Sequence, residues 1–179
     1  VTLEAGADDI DTARLFEQIV VDKARLRSAV QHALRHQPQI TLRELLDAEP
    51  LQQGLAELFA PWVQALELRV DAVAPASVSV VLPVGEHLAR VGGTLCGQAM
   101  MAAADTAMVL ALMAHFGAFR PCTTVQMNTS FLRPLVGQPA RVTATVIRAG
   151  KSLAFGEIDI CGASDGKSVC RASVTYALL

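Results

Sequence analysis

Metal-binding spacing is the first thing this 179-residue chain lacks: its four cysteines, Cys96, Cys122, Cys161 and Cys170, form no CxxC pair, and none lies at a ligand interval from a histidine. Free thiols and no bound metal are therefore expected. Cations are scarce in the first third, where residues 1–65 carry six Lys and Arg against ten Asp and Glu. Three short helices there could suggest a helix-turn-helix. The third apolar segment, LQQGLAELF at residues 51–59, has no Lys or Arg to meet phosphates, so nucleic-acid binding is not expected. A secretory leader is not expected either, because residues 1–11 are acidic and short of apolar side chains. With the free thiols, that points to a reducing, cytoplasmic setting. Val1 in place of an initiator Met suggests numbering that starts inside a longer or processed chain. Finally, residues 98–116 contain neither Pro nor Gly.

That last absence frames the segment around which we read the rest. Residues 92–115, GGTLCGQAMMAAADTAMVLALMAH, are rich in Met, Ala and Leu and hold a single carboxylate, Asp105. Strong helix formers without a breaker predict a helix over residues 98–116. It would be apolar on every face, so it must be buried all round or lie in a membrane. The alternating segments on both sides, and a charge near its centre, argue for burial in a folded domain rather than a bilayer span. An ionisable group there is costly unless it has a task. Its bland alternative is a buried carboxylate satisfied by backbone or Thr hydroxyls.

Before this segment the pattern is helical. Asp9 or Asp11 can cap a helix to about residue 37, ended by Pro38; Thr41-Leu42-Arg43-Glu44 forms a capping box; and Pro50 opens a third apolar run that Pro61 breaks. From Leu66 the period changes to two. Leu66, Leu68 and Val70 alternate with charges, and Val78, Val80 and Leu82 alternate with small residues. After the helix, which we expect Pro121 to stop, strands are predicted at residues 123–132, 141–148, 153–161 and 168–178. Turn residues at Ala149-Gly150 and Ser164-Asp165-Gly166-Lys167 make hairpins of them. The reading is an α+β fold, residues 64–179, in which one antiparallel sheet wraps the helix, preceded by a helical extension, residues 1–63. The 52% hydrophobic content is ample for its core.

Three motifs then carry a family resemblance. Gly93-Thr94-Leu95-Cys96-Gly97-Gln98 followed by Ala104-Asp105-Thr106-Ala107 resembles the G-x-x-H-G-G...A-D-x-A core of hotdog-fold thioesterases of the phenylacetate-degradation type. Asn128-Thr129-Ser130-Phe131-Leu132-Arg133-Pro134 resembles that family's N-x-x-F-L-R-P, and Arg148-Ala149-Gly150-Lys151 its R-x-G-K turn. The resemblance implies a hotdog fold and a homodimer, or dimer of dimers, with acyl-coenzyme A (acyl-CoA) sites at the subunit interface and no cofactor. The implied reaction is hydrolysis of a thioester to a free acid and coenzyme A. Asp105 would be general base or nucleophile, the Gly97 N–H would receive the carbonyl oxygen, and Thr124 from the neighbouring subunit would help to place water.

Elementary chemistry agrees with these roles. Gly97 falls at a helix start, where unpaired N–H groups and the positive end of the dipole can stabilise an oxyanion. Asp105 lies about two turns further on, and apolar surroundings would make it a better base. Arg148 and Lys151, and less so Arg133, are candidate contacts for the phosphates of coenzyme A, although charges at a hairpin tip are commonly just solvated. Two substitutions depart from the family's pattern: Cys96 replaces its histidine and Gln98 its second glycine, while Arg90 stands loosely at an upstream polar position. These three are expected beside the substrate. Cys96 itself is read as a small buried thiol rather than a nucleophile. The alternative to an enzyme is a non-catalytic acyl-CoA-binding or sensing protein.

Overall fold

The structure, a computed structural model, describes residues 48–179; the helix expected up to residue 37 and the capping box at Thr41 lie outside the described residues. In chain order the elements are α1 (Ala48–Glu57), α2 (Pro61–Gln64), β1 (Arg69–Ala74), β2 (Ser77–Leu82), β3 (Ala89–Arg90), β4 (Thr94–Leu95), α3 (Gly97–Phe116), β5 (Cys122–Phe131), β6 (Ala140–Ala149), β7 (Leu153–Gly162) and β8 (Ser168–Leu178). Six strands make one antiparallel sheet in the order β1-β2-β6-β7-β8-β5, and β3 and β4 form a separate small hairpin that the sequence reading did not foresee. The α+β expectation of a sheet around a long helix is borne out.

The inner face of the sheet follows from its period-two pattern. Val78, Val80 and Leu82 on β2, Val142 and Ala144 on β6, Ile158 and Ile160 on β7, and Ala172, Val174 and Tyr176 on β8 are all buried. They pack under α3, whose Ala103, Ala107 and Ala111 are fully buried and let the strands approach closely. Gly156 on β7 extends this fit, because a Cβ there would overlap the thioether of Met108. By length and composition α3 could cross a membrane, yet 67% of its most apolar window is buried within the protein.

Several expectations need correction. The helix ends at Gly117 and not at Pro121: the glycine takes a left-handed φ of 74° and donates its N–H to Met113 O, closing the last turn. Strand β1 begins at Arg69, because Glu67 adopts a positive φ that breaks the extended run; Leu66 and Leu68 are still buried. Pro50 falls in the first described turn of α1, and Pro61 opens the short α2 in the position where a missing N–H is tolerated. Nor do the described residues cover α3 on every side. Gln98 and Met101 are exposed, and Ala102, Asp105 and Val109 are only partly buried, which leaves an open stripe at helical spacing.

Helix α1 packs on the same sheet. Leu51 and Leu55 join the core, Gly54 lies against Met113, and the Gln52 amide donates to Leu68 O (3.1 Å) while accepting from Val70 N (2.8 Å).

Candidate functional site

The open stripe of α3 faces the first residues of β5, and the β5–β8 register explains which side chains meet there. Cα partners across an antiparallel pair share a face. Thr124 is paired with Tyr176, Met127 with Val174, and Thr129 with Ala172, so all six point toward α3. An extra residue, Val125, sits in a bulge between Thr124 and Gln126. In a regular strand Thr124 and Met127, three residues apart, would point to opposite faces; the bulge resets the alternation beside the one carboxylate of α3.

Asp105 is partly buried, and its Oδ1 accepts two hydroxyl hydrogen bonds. Thr124 Oγ1 donates at 2.8 Å, and the Tyr176 hydroxyl donates to the same oxygen while lying 3.0 Å from the Asp105 main-chain carbonyl. The shell around the carboxylate is not simply apolar, since strands β5 and β8 bring hydroxyls to it, and the Thr124 that does so belongs to the same chain as Asp105.

Burial pushes the Tyr176 phenol well above its ordinary pKa, and the neighbouring Asp105 charge adds to the shift. It therefore stays protonated, a donor, throughout the neutral range. Burial and then Asp105 also raise the Cys122 thiol, the other titratable group beside the carboxylate. Tyr176 was not anticipated from the sequence. Its one available signal was being the chain's single tyrosine, at an inward position of a strand.

At the other end of the stripe, Cys96 is the extended N-cap of α3 with no side-chain capping bond, and Gly97 is the first helical residue. A first-turn N–H has no partner within its helix, so Gly97 presents a donor at the positive end of the dipole. A side chain at Gly97 would meet the Phe131 ring at 3.1 Å, so only glycine fits there without displacing the ring. Cys96 N donates to Leu88 O and Leu95 N to Leu135 O, which fixes the start of the helix between two loops. Cys96 is half-buried rather than enclosed.

The expected site residues fall into two groups. Cys96, Gly97, Gln98, Arg90 on β3, and Arg133 just after β5 gather around the start of α3. Thr124, Arg148 and Lys151 lie at the opposite end of β5, where the β6–β7 hairpin reaches the chain end: Ser152 O accepts from Leu178 N, and Leu178 pairs with Cys122. Arg120, not singled out from sequence, joins this second group. It stacks over Phe116 at 5.3 Å and donates to Lys151 O at 2.8 Å. Eight residues of helix separate Gly97 from Asp105, about 12 Å along the axis. One thioester carbonyl cannot touch both within a single chain.

A groove of about 480 Å³ on the outer face of the sheet, lined by Thr143, Thr145, Glu157, Asp159, Arg171 and others, includes none of the expected site residues. Among the described residues no cluster of His, Cys, Asp and Glu could hold a metal ion.

Comparison with known proteins places this geometry. The family model described as the thioesterase superfamily matches residues 92–169, and a second, described as a protein of unknown function, matches residues 1–90. Human acyl-coenzyme A thioesterase 13 is 30% identical over 114 residues, 63% of this chain and 80% of its own. A provisionally named esterase of Thermoplasma acidophilum is 29% identical over 127 residues, 69% of this chain and 94% of its own. Among solved structures, zebra fish thioesterase superfamily member 2 superposes with a TM-score of 0.67 at 26% identity, covering 75% of this chain and 99% of that one.

Proposed function

The chain belongs to the thioesterase superfamily and is a thioester hydrolase with a hotdog fold, and from that premise we propose that it hydrolyses an acyl-CoA with Asp105 as general base. The observation that carries this reading is the Asp105 carboxylate held by Thr124 Oγ1 at 2.8 Å on the open flank of an otherwise apolar helix. An ionised carboxylate in that place has no ion partner among the described residues and is oriented by hydroxyls, the arrangement a base needs.

In the reaction a water O–H bond breaks and its proton passes to Asp105 while the water oxygen bonds to the acyl carbon. The carbonyl oxygen becomes an oxyanion, received by the Gly97 N–H. Collapse of the tetrahedral intermediate breaks the C–S bond, and the departing thiolate takes the proton back from Asp105. Because Gly97 and Asp105 of one chain are too far apart to serve one carbonyl, the site combines Gly97 of one copy with Asp105 of a second. A homodimer joined along β5, or a pair of such dimers, supplies this, and the open β5 edge with exposed Val125 and Phe131 supports it. Cys96 and Gln98 would then border the thioester, with Arg90 and Arg133 nearby, and Arg148, Lys151 and Arg120 would meet the phosphates of coenzyme A. A cytoplasmic setting completes the reading, supported by four free cysteines.

Thiol release from short, medium, long and aromatic acyl-CoAs tests this. Turnover of at least one, reduced by about 10²–10⁴-fold in Asp105→Asn, is expected. Binding of acyl-CoA with no turnover of any would overturn it in favour of a sensor.

A further inference from the structure

The reading of Asp105 as a base leaves open which of its oxygens takes the proton and what aims it. Both hydroxyls reach the same atom: Thr124 Oγ1 and the Tyr176 hydroxyl donate to Oδ1, and among the described residues nothing bonds Oδ2. The two donors come from different strands, β5 and β8, yet are direct cross-strand neighbours in the register, so the sheet presents them as a pair. Tyr176 is almost completely buried, with 1% of its surface exposed, and its ring is wedged under α3. A phenol in that position has little rotational freedom, unlike a threonine on an exposed strand.

Resting on the general-base reading, we propose that Tyr176 is the positioning residue of Asp105: with Thr124 it anchors Oδ1, so that Oδ2 is the oxygen presented to water and the one that receives its proton. The consequence is geometric. A carboxylate anchored through one oxygen cannot rotate about its Cβ–Cγ bond without breaking both contacts, and the other oxygen is left without a partner among the described residues. Preorganisation of this kind acts on the chemical step and leaves substrate affinity alone. It also has an electrostatic side. A hydrogen bond to the ionised form stabilises it, and Tyr176→Phe withdraws one of the two that Asp105 accepts. The titratable groups facing Asp105 are Tyr176 from β8 and Cys122 from β5, and Cys122 is unchanged in the comparison below.

Tyr176→Phe keeps the ring and removes the hydroxyl. The expected result is a kcat lowered about tenfold with KM little changed, equivalent to about 1.4 kcal/mol, and an acid limb of the pH–rate profile moved to higher pH. A second measurement does not depend on that variant folding. Tyr176 is the sole tyrosine of the chain, so tyrosinate absorbance during alkaline titration reads it alone. In Asp105→Asn the phenol loses its charged acceptor and should ionise at lower pH than in the wild type. A purely packing tyrosine would move neither the acid limb nor this titration. An unchanged kcat and acid limb in Tyr176→Phe, or the same phenol titration with and without the Asp105 charge, overturns the inference. Full turnover in Asp105→Asn overturns the general-base reading as well, whereas an inactive Asp105→Asn beside an unaltered Tyr176→Phe overturns this inference alone.

Discussion

Along one edge of the sheet, the backbone of β1 is already engaged, because the side-chain amide of Gln52 donates to Leu68 O and accepts from Val70 N, as a neighbouring strand would. Just beyond that point Asp71 occupies a bulge and pairs with Arg141 at 3.0 Å. Along the other edge, β5 offers ten residues, most of them exposed, with Val125 and Phe131 among the large apolar ones and no charged side chain. A bulge, a charge and a covering helix are the devices by which a protein keeps a sheet edge from pairing. β1 has all three. Among the described residues β5 has a bulge alone, and that bulge serves to turn Thr124 toward Asp105. In the proposed dimer the edge left open is the one a second copy would extend, and the sealed edge is the one it would not.

The sharpest way to break this comparison is to give β5 what β1 has. Val125→Lys puts a charge on the open edge, and light scattering should show the oligomer dissociating to single chains at concentrations where the wild type stays paired, with association weaker by more than about tenfold. Turnover should fall in parallel, because the shared site is lost with the interface. An unaltered mass would show that copies do not meet along β5.

Opening the other edge is expected to matter less and to act on stability alone. Gln52→Ala removes two hydrogen bonds to the β1 backbone, a loss of about 1–2 kcal/mol, or a Tm lower by about 3–8 °C in a thermal melt, with kcat unchanged. A fall in activity at unchanged Tm would contradict the division of roles between the edges. Smallest of all is Asp71→Asn. Both members of its ion pair are more than a third exposed, so the pair is worth no more than about 0.5 kcal/mol and the melt should move by about 2 °C at most.

Alkaline melting sharpens the inner part of the comparison. The folded Tyr176 phenol titrates above its unfolded value, so the native state holds a proton that the unfolded chain has released once pH passes about 10. The stability it contributes is full below that pH and declines as pH rises toward the folded value. A melting temperature followed from pH 8 upward should fall from about pH 10, less steeply in Tyr176→Phe.

Much of the fold was legible in the residues. Val78, Val80 and Leu82 announce β2 because a strict period of two can place them on one buried face, and α3 is visible because nothing between residues 98 and 116 interrupts it. Asp105 could be singled out on the same grounds, as one charge in an apolar helix. Other features were hidden. Pro121 is the conspicuous breaker after α3, but Gly117 closes the turn first. The short β3–β4 hairpin has two residues per strand, too few to show any period. Thr123 and Thr124 stood side by side with nothing local to say which turns inward; the β5–β8 register and the bulge at Val125 decide it. Tyr176 lies 71 residues from Asp105 and looks, in sequence, like any aromatic residue in a buried strand.

By itself, then, the sequence determined the elements and the one carboxylate that stands out, since helix and strand periods and their breakers are properties of neighbouring residues. Only the tertiary structure decided that β8 would lie beside β5, that one bulge would bring Thr124 and Tyr176 to the same oxygen of Asp105, and that Gln52 would close one edge while no described residue closes β5. Those contacts join residues 16 to 71 positions apart, and strand order and register, which no local pattern encodes, choose among the many pairings the same alternation would allow.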